Sequence, residues 1–395
     1  MVIATKVAGL LNGNCGSAKK GNPLTKKVEE VYQKLPNAKL ITTYDESSMV
    51  GAIDELSKWH PDLWCLISGD GGLLSQMSYY FNKFGTSKPL SLWYIPFGTN
   101  DREGRNQGSI SSLAFGDRRD EQRERHLNDI AEEIIKGNNL KMRKMNVMKT
   151  TLTTPNDEKK TYYSFDFCAG LPAEAVMSFM GLTEKEVMNN DFQNSTLDYD
   201  PFAILRTILG SIAKSLSGPK AFKGSYAKVR VDGELIRGND FSYYMALYAS
   251  TSETALLFMR PMWRSREGQM HLMATWMPTS RAPKYIPRWV FGYNFEGADP
   301  HSVDIGVKHL GIEFREPTVI QMAGELSIVT YAEMEIIPDL AEFVKPKFGV
   351  TNLYPETIAY HALKSFAYSN LVVPFEKMYP EVLLGVNNGN GNHRT

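Results

Sequence analysis

Through roughly the first hundred residues, strand-like apolar runs alternate with stretches whose apolar positions recur at helical spacing. Residues 7–11, 63–67 and 92–95 are unbroken apolar runs, and 39–44 reads as a further strand. Runs of this length predict strands covered on both faces. Between them, Leu24, Val28, Tyr32 and Leu35 fall on one side of a helix. Met49, Ile53 and Leu56 mark a second helix that stops near Pro61, and residues 77–84 form an aromatic third. This alternation predicts a doubly wound parallel sheet, with ligands at the carboxyl ends of its strands.

The rhythm dissolves between Gly98 and Arg119 into a polar, glycine-rich stretch, and a charged helix follows to about Ile135. From Met142 onward, residues 144–151, 162–168, 227–231, 243–249 and 270–276 read as strands without intervening helices, which predicts a mostly antiparallel second domain. One helical stretch, 202–216, places Ile204, Leu205, Ile208, Ile212 and Leu216 on an apolar face; core or interdomain packing is favoured over a lipid-facing surface. The expected division is an α/β domain over 1–140 and a β-rich substrate domain over 141–340. A C-terminal segment over 341–395 is expected to pack back on the first domain and end in a disordered asparagine- and glycine-rich tail.

Composition narrows the picture mainly by exclusion. The 395 residues are enough for two cores, and 44 lysines and arginines balance 44 aspartates and glutamates. Zero formal charge gives no general argument for a nucleic-acid partner or a strongly acidic membrane. Cys15, Cys65 and Cys168 are few and lack metal-ligand spacing, and the seven histidines show none either, so a reducing, cytoplasmic compartment is expected. No apolar run approaches the about 18 residues that span a bilayer, and residues 1–12 lack the pattern of a signal peptide. Any lipid is therefore expected to be reached from the water side, by peripheral contact.

Two glycine turns follow buried strand-like runs. Residues 63–67 lead into Ser68-Gly69-Asp70-Gly71-Gly72, and residues 92–96 lead into Phe97-Gly98-Thr99-Asn100-Asp101. Glycines there bare backbone N–H groups at the sheet edge, where an anion can approach closely. Each turn also carries an aspartate, and two unit charges about 4 Å apart repel by several kcal/mol near a protein surface. A Mg²⁺ ion, or a hydroxyl donating to the carboxylate, removes that conflict, and a nucleotide with its metal and ribose brings both. A single turn of this kind is ordinary strand–helix chemistry; two at corresponding strand ends favour the anion site. Asn12-Gly13-Asn14-Cys15-Gly16 follows the first strand, but Asn22-Pro23 stands where a P-loop needs Lys-Ser/Thr. Asn12 and Gly16 then either touch phosphate or ribose or form a flexible connection, and the two readings stand level.

A strand ending in Asn-x-x-x-Gly, then a GGDG-type turn, then a GT-ND turn resembles the catalytic domain shared by diacylglycerol kinases, sphingosine kinases and related bacterial lipid kinases. NAD kinases and phosphofructokinases share the GGDG element alone. Phe167-Cys168-Ala169-Gly170 with Ala173-Glu174-Ala175-Val176, and Arg260-Pro261-Met262, resemble second-domain segments of the same superfamily. The resemblance covers roughly residues 5–340. It implies an NAD kinase/diacylglycerol kinase-like fold and an ATP- and Mg²⁺-dependent transfer of a phosphoryl group to a lipid hydroxyl. By position it places Ser68, Gly69, Asp70, Gly71, Gly72, Gly98, Thr99, Asn100 and Asp101 at the ATP phosphates and ribose between the domains, and Thr43 facing the nucleotide. The tips of the third and fourth strands should then meet.

The resemblance also implies an Asp-Gly-Glu turn late in the second domain, whose acid deprotonates the acceptor. Strand-like runs at 318–322 and 326–329 flank Ala323-Gly324-Glu325, which makes Glu325 that acid, with Asp70 as the other candidate. Val231-Asp232-Gly233-Glu234 matches the letters better but comes too early in the order, and Asp-Gly between strands is a hairpin signal by itself. Departures matter: Gly72 replaces a threonine or bulky apolar residue, Ser75 a glutamate and Ala323 an aspartate, and the GT-ND turn is one residue short. Two other readings therefore stay open, an NAD kinase-like enzyme and a catalytically impaired protein that binds nucleotide or lipid.

Overall fold

The computed structural model describes residues 2–15, 18, 23–98, 116–188, 224–252, 269–276 and 301–347. In chain order the first elements are β1 (Val7–Asn12), α1 (Pro23–Lys34), β2 (Ala38–Thr43), α2 (Glu46–Lys58), β3 (Leu63–Ser68), α3 (Asp70–Phe84), β4 (Leu90–Pro96) and α4 (Gly116–Ile135). Then come β5 (Met142–Thr153), β6 (Lys159–Ser164), β7 (Asp166–Gly170), α5 (Leu171–Phe179), α6 (Glu184–Met188), β8 (Ser225–Val231) and β9 (Glu234–Leu235). The last are β10 (Ser242–Tyr244), β11 (Ala246–Ser250), β12 (Met270–Thr275), β13 (Ser302–Val307), β14 (His309–Met322) and β15 (Glu325–Val344). Among the described residues the chain divides into two compact units: those within 2–147, 161–164 and 337–347 form one, and those within 148–160 and 165–336 form the other.

The first unit is the doubly wound α/β sheet. Its strands run parallel in the order β4-β3-β1-β2, and Ala341–Phe343 of β15 add a further parallel strand beside Leu90–Leu92. Alternate side chains go to opposite faces of a strand. Val7, Leu11, Leu63, Cys65, Ile67, Trp93 and Ile95 pack against Leu24, Val28, Val31 and Tyr32 of α1 and Leu127, Ile130 and Ile134 of α4. On the strand positions between them, Trp64 meets Tyr80 of α3 edge to face at 5.5 Å. Both faces are thus covered, which is why these strands read as apolar without alternation.

The second unit is mostly antiparallel. β7, β11, β12 and β13 pair in sequence, β7 also pairs with β14, and β14 pairs with both β8 and β15. The long β14–β15 ribbon shifts register between Glu313 and Thr318, and Pro317, which has no N–H to give to a ladder, lies in that break.

Several elements differ from the sequence reading. The run 162–168 splits at Phe165 and 243–249 splits at Met245, because each run changes partner there: β6 pairs with β5 and β7 with β11 and β14, whereas β10 pairs with β8 and β11 with β7 and β12. The Phe165 carbonyl accepts from Thr251 N at 2.9 Å, and Met245 N donates to Thr275 O at 2.8 Å. A helix, α5, interrupts the expected run of strands, with Pro172 in its first turn. Helix α3 starts at Asp70 rather than near Met77. Residues 202–216 and the C-terminal tail lie outside the described residues. No helix among the described residues is long and apolar enough to cross a membrane.

Candidate functional site

Asn12, Thr43, Ser68 and Pro96 end four neighbouring parallel strands, with Asn12 opposite Thr43 and Ser68 opposite Pro96 in register. At this edge the tips of β3 and β4 come together. A Cβ built on Gly69 would lie 3.1 Å from the Cα of Gly98, and Phe97 N donates to the Ser68 carbonyl at 2.8 Å. A side chain at Gly69 would crowd the Gly98 backbone, so the close approach of the two turns favours glycine there.

Asp70, Gly71 and Gly72 are the first turn of α3, not a loop. Gly69 caps that helix without any side-chain hydrogen bond, and Leu73 N makes the first bond back to the Gly69 carbonyl at 3.0 Å. The Gly71 and Gly72 N–H groups, at the positive end of the helix, can therefore serve an anion. Asp70 is held at the same place: the Tyr94 hydroxyl lies 3.1 Å from the Ser68 carbonyl and 3.3 Å from Asp70 Oδ1.

Gly72 has a local cause as well. A Cβ there would sit 2.8 Å from Ser68 Cβ and 3.1 Å from both Ser68 Oγ and Asn12 Nδ2. Ser68 is fully buried, and its hydroxyl has no hydrogen-bond partner. Such a group is the kind that a bound ligand satisfies. Asn12 uses its side-chain oxygen to accept from Asn14 N at 3.0 Å, which folds the first turn, while its nitrogen lies beside Gly72. Thr43 is buried; its hydroxyl donates to the Leu11 carbonyl at 3.5 Å and its carbonyl accepts from Gly13 N at 2.8 Å, so it ties β2 to β1. Gly16, Thr99, Asn100, Asp101 and Arg260 to Met262 lie outside the described residues.

Two residues that the sequence reading passed over support this edge. Arg123 of α4 is fully buried; its Nη2 donates to the Gly98 carbonyl at 2.8 Å, its Nη1 to Asp120 Oδ1 at 2.5 Å, and its guanidinium lies 5.8 Å from the Phe97 ring centre. His126, one turn on, bonds the Tyr94 backbone, and burial lowers its imidazole to about 4. The spacing 123, 127, 130, 134 puts Arg123 on the apolar stripe of α4, a signal that was present in the sequence.

In the second unit, Ala323 and Gly324 form a two-residue hairpin turn between β14 and β15, with φ of 49° and 88°. Such turns need positive φ at both central positions. The buried carboxylate of Asp166 accepts from Ala323 N at 2.7 Å and so fixes the turn from which Glu325 departs. Glu325 is open to solvent, yet the protein around it desolvates its carboxyl and raises its pKa above the ordinary glutamate value. Asp232 and Gly233 form an ordinary turn between β8 and β9, and Asp232 Oδ1 accepts from Lys308 N and His309 N.

Comparison with known proteins found likeness in structure alone. No family model and no curated protein sequence matches the chain. A solved structure of a protein assigned as a diacylglycerol kinase from Bacillus anthracis str. Sterne superposes with a TM-score of 0.59 at 15% identity, over 88% of this chain and 99% of that one. A diacylglycerol kinase structure from the same strain gives 0.56 at 14%, again over 88% and 99%. The fold is therefore that of these proteins, with a divergent sequence.

Proposed function

We propose that this protein is a kinase that transfers the γ-phosphoryl group of ATP to a hydroxyl of a lipid. The observation that carries the reading is the meeting of Gly69 and Gly98 beside the uncapped start of α3, an arrangement suited to a chain of phosphates. The shared fold with proteins described as diacylglycerol kinases supports it.

In this reading Gly71 and Gly72 donate backbone N–H groups to phosphate oxygens, and Ser68 and Asn12 line the same edge. Among the described residues no cluster of three or more His, Cys, Asp or Glu side chains could hold a metal. Mg²⁺ is commonly held by one or two carboxylates plus substrate phosphates, without such a cluster. Asp70 is the carboxylate that would hold it, and Mg²⁺ would neutralise phosphate charge. Phosphoryl transfer asks the protein mainly for positioning and charge neutralisation. Glu325 accepts the proton of the acceptor hydroxyl, and its raised pKa makes it a better proton acceptor than an ordinary glutamate. Tyr94 orients Asp70, and Asp166 positions the Glu325 turn.

Incubation of the purified protein with γ-³²P-labelled ATP, Mg²⁺ and a mixed lipid extract tests the proposal, with NAD as a control acceptor. The expected result is a labelled lipid whose formation falls sharply in Asp70→Ala and Glu325→Gln. No labelled lipid, or labelling unchanged in both variants, would overturn it. Ala323, standing where the superfamily has an acid, favours a second reading in which nucleotide is bound without turnover. ATP binding with no labelled product on any lipid would select that one.

A further inference from the structure

We infer that the ring of Tyr44 is the shelf on which the base of a bound nucleotide stacks. The inference rests on the nucleotide-binding reading above and adds to it a residue that neither the motifs nor the fold designates.

Tyr44 follows Thr43, the last residue of β2, at the carboxyl edge that carries Asn12 and Gly69. It is 62% exposed, the most open large apolar or aromatic side chain among the described residues. Its main chain is nonetheless pinned on both sides. Its N–H donates to Ser48 Oγ at 3.0 Å, its carbonyl accepts from Asn14 Nδ2, and the next residue, Asp45, caps α2 with a full capping box. The ring lies against the backbone of Gly13, where a Cβ would come within 2.7 Å of Cδ1. One part of the ring is thus seated on the first glycine turn, while most of the side chain is exposed, with no side-chain hydrogen bond or ring partner among the described residues. With its main chain fixed and one ring edge on Gly13, the Tyr44 ring has less conformational freedom to lose when a ligand arrives, which favours binding.

The placement suits a base. Adjacent strands lie about 4.8 Å apart, so the end of β2 stands roughly 10 Å from the β3 tip across β1. A nucleotide with its phosphates at Gly69 and Gly98 can lay its base over Tyr44. Stacking on an aromatic ring tolerates every base, because each presents a π face. Tyr44 accordingly supplies affinity without choosing adenine over guanine.

Calorimetric titration of the full chain with ATP, GTP and inorganic tripolyphosphate tests this in the unchanged protein, Tyr44→Phe and Tyr44→Ala, with a thermal melt to confirm folding. Tyr44→Ala should weaken both nucleotides about tenfold and leave tripolyphosphate unaffected, whereas Tyr44→Phe should bind all three normally. Equal ATP binding by the unchanged protein and Tyr44→Ala would overturn the inference and leave the nucleotide-binding reading standing. An equal loss for tripolyphosphate would also overturn it, by showing that the ring merely supports the turn. Failure of the unchanged protein to bind ATP at all would remove both.

Discussion

The Nη2 of Arg123 donates to the carbonyl of Gly98 at 2.8 Å from a side chain that is wholly out of water. Gly98 in turn lies so close to Gly69 that a Cβ there would come 3.1 Å from the Gly98 Cα, so the buried Arg123 on α4 holds one glycine tip beside the other. Arg123→Met keeps much of the volume but leaves the Gly98 carbonyl without its donor. The expected cost is about 1–3 kcal/mol of stability, with a weakening of ATP binding, read by urea unfolding and calorimetry. Arg123→Lys keeps the charge but not the planar fork that reaches Gly98 and Asp120 together, and should recover only part of the loss. Unchanged ATP affinity in a folded Arg123→Met variant would show that the clamp has no bearing on the edge.

Gly72 stands where the sequence resemblance leads one to expect a larger residue, and its neighbourhood explains the glycine. A methyl group there meets Ser68 Cβ at 2.8 Å, inside any normal contact. Gly72→Ala should therefore destabilise by about 1–3 kcal/mol, as overpacking does. Combining it with Ser68→Gly removes the opposing atom, so the pair should recover much of the loss. Thermal unfolding of both single variants and the double variant gives the coupling directly. Additive losses would show that the strain lies elsewhere.

Much of the first unit was legible in the sequence because strands buried on both faces are apolar throughout and α1 and α2 repeat at helical spacing. The start of α3 was not, since Asp70-Gly71-Gly72 has the composition of a loop and becomes a helical turn only by following β3 directly. Arg123 was hidden in a charged run: charge suggested a solvated face, while the stripe through Leu127, Ile130 and Ile134 turned it inward. Asp166 was likewise lost in an apolar run, although a carboxylate in such a run must find a donor, here Ala323 N. The breaks at Phe165 and Met245 depend on bonds to distant segments, which no local pattern encodes.

Ala323 holds φ of 49°, a left-handed conformation that L-residues with a Cβ adopt at a cost of about 1 kcal/mol. Asparagine tolerates it better. Ala323→Asn should raise the stability of the chain by up to about 1 kcal/mol, seen as a higher midpoint in thermal unfolding. Asp166→Ala should act in the opposite sense, costing about 1–3 kcal/mol by removing the carboxylate that Ala323 N–H meets at 2.7 Å. A lower midpoint for Ala323→Asn would place the strain outside the turn.

Burial of its surroundings raises the Glu325 pKa from the ordinary value of 4.5. The folded chain thus keeps a proton that the unfolded chain has lost, and stability falls as pH rises from 4.5 to the raised value. If Glu325 is the base of the proposed reaction, the same shift moves the acid limb of the rate profile upward, since only the carboxylate accepts a proton. Glu325→Gln should abolish that limb and slow turnover about 10²–10⁴-fold, in line with loss of a general base. A rate profile with its acid limb intact in Glu325→Gln would assign the base elsewhere.

His126 carries the opposite sign. It is 5% exposed, and burial lowers its imidazole from 6.5 to about 4, against a smaller upward pull from its hydrogen bond with the Tyr94 backbone. At pH between those values the unfolded chain binds a proton that the folded chain refuses. The stability contributed by keeping His126 neutral is complete above pH 6.5 and is lost as pH falls toward 4, by on the order of 3 kcal/mol. His126→Gln retains an N–H that can bond the Tyr94 backbone and cannot titrate. Its stability should therefore vary much less than that of the unchanged protein between pH 6.5 and 4 when both are unfolded by urea across that range. Because His126 bonds the strand that leads to Phe97 and Gly98, the same acidification should weaken ATP binding in the unchanged protein more than in His126→Gln. Parallel stability curves for the two proteins would show that another buried group carries the acid sensitivity.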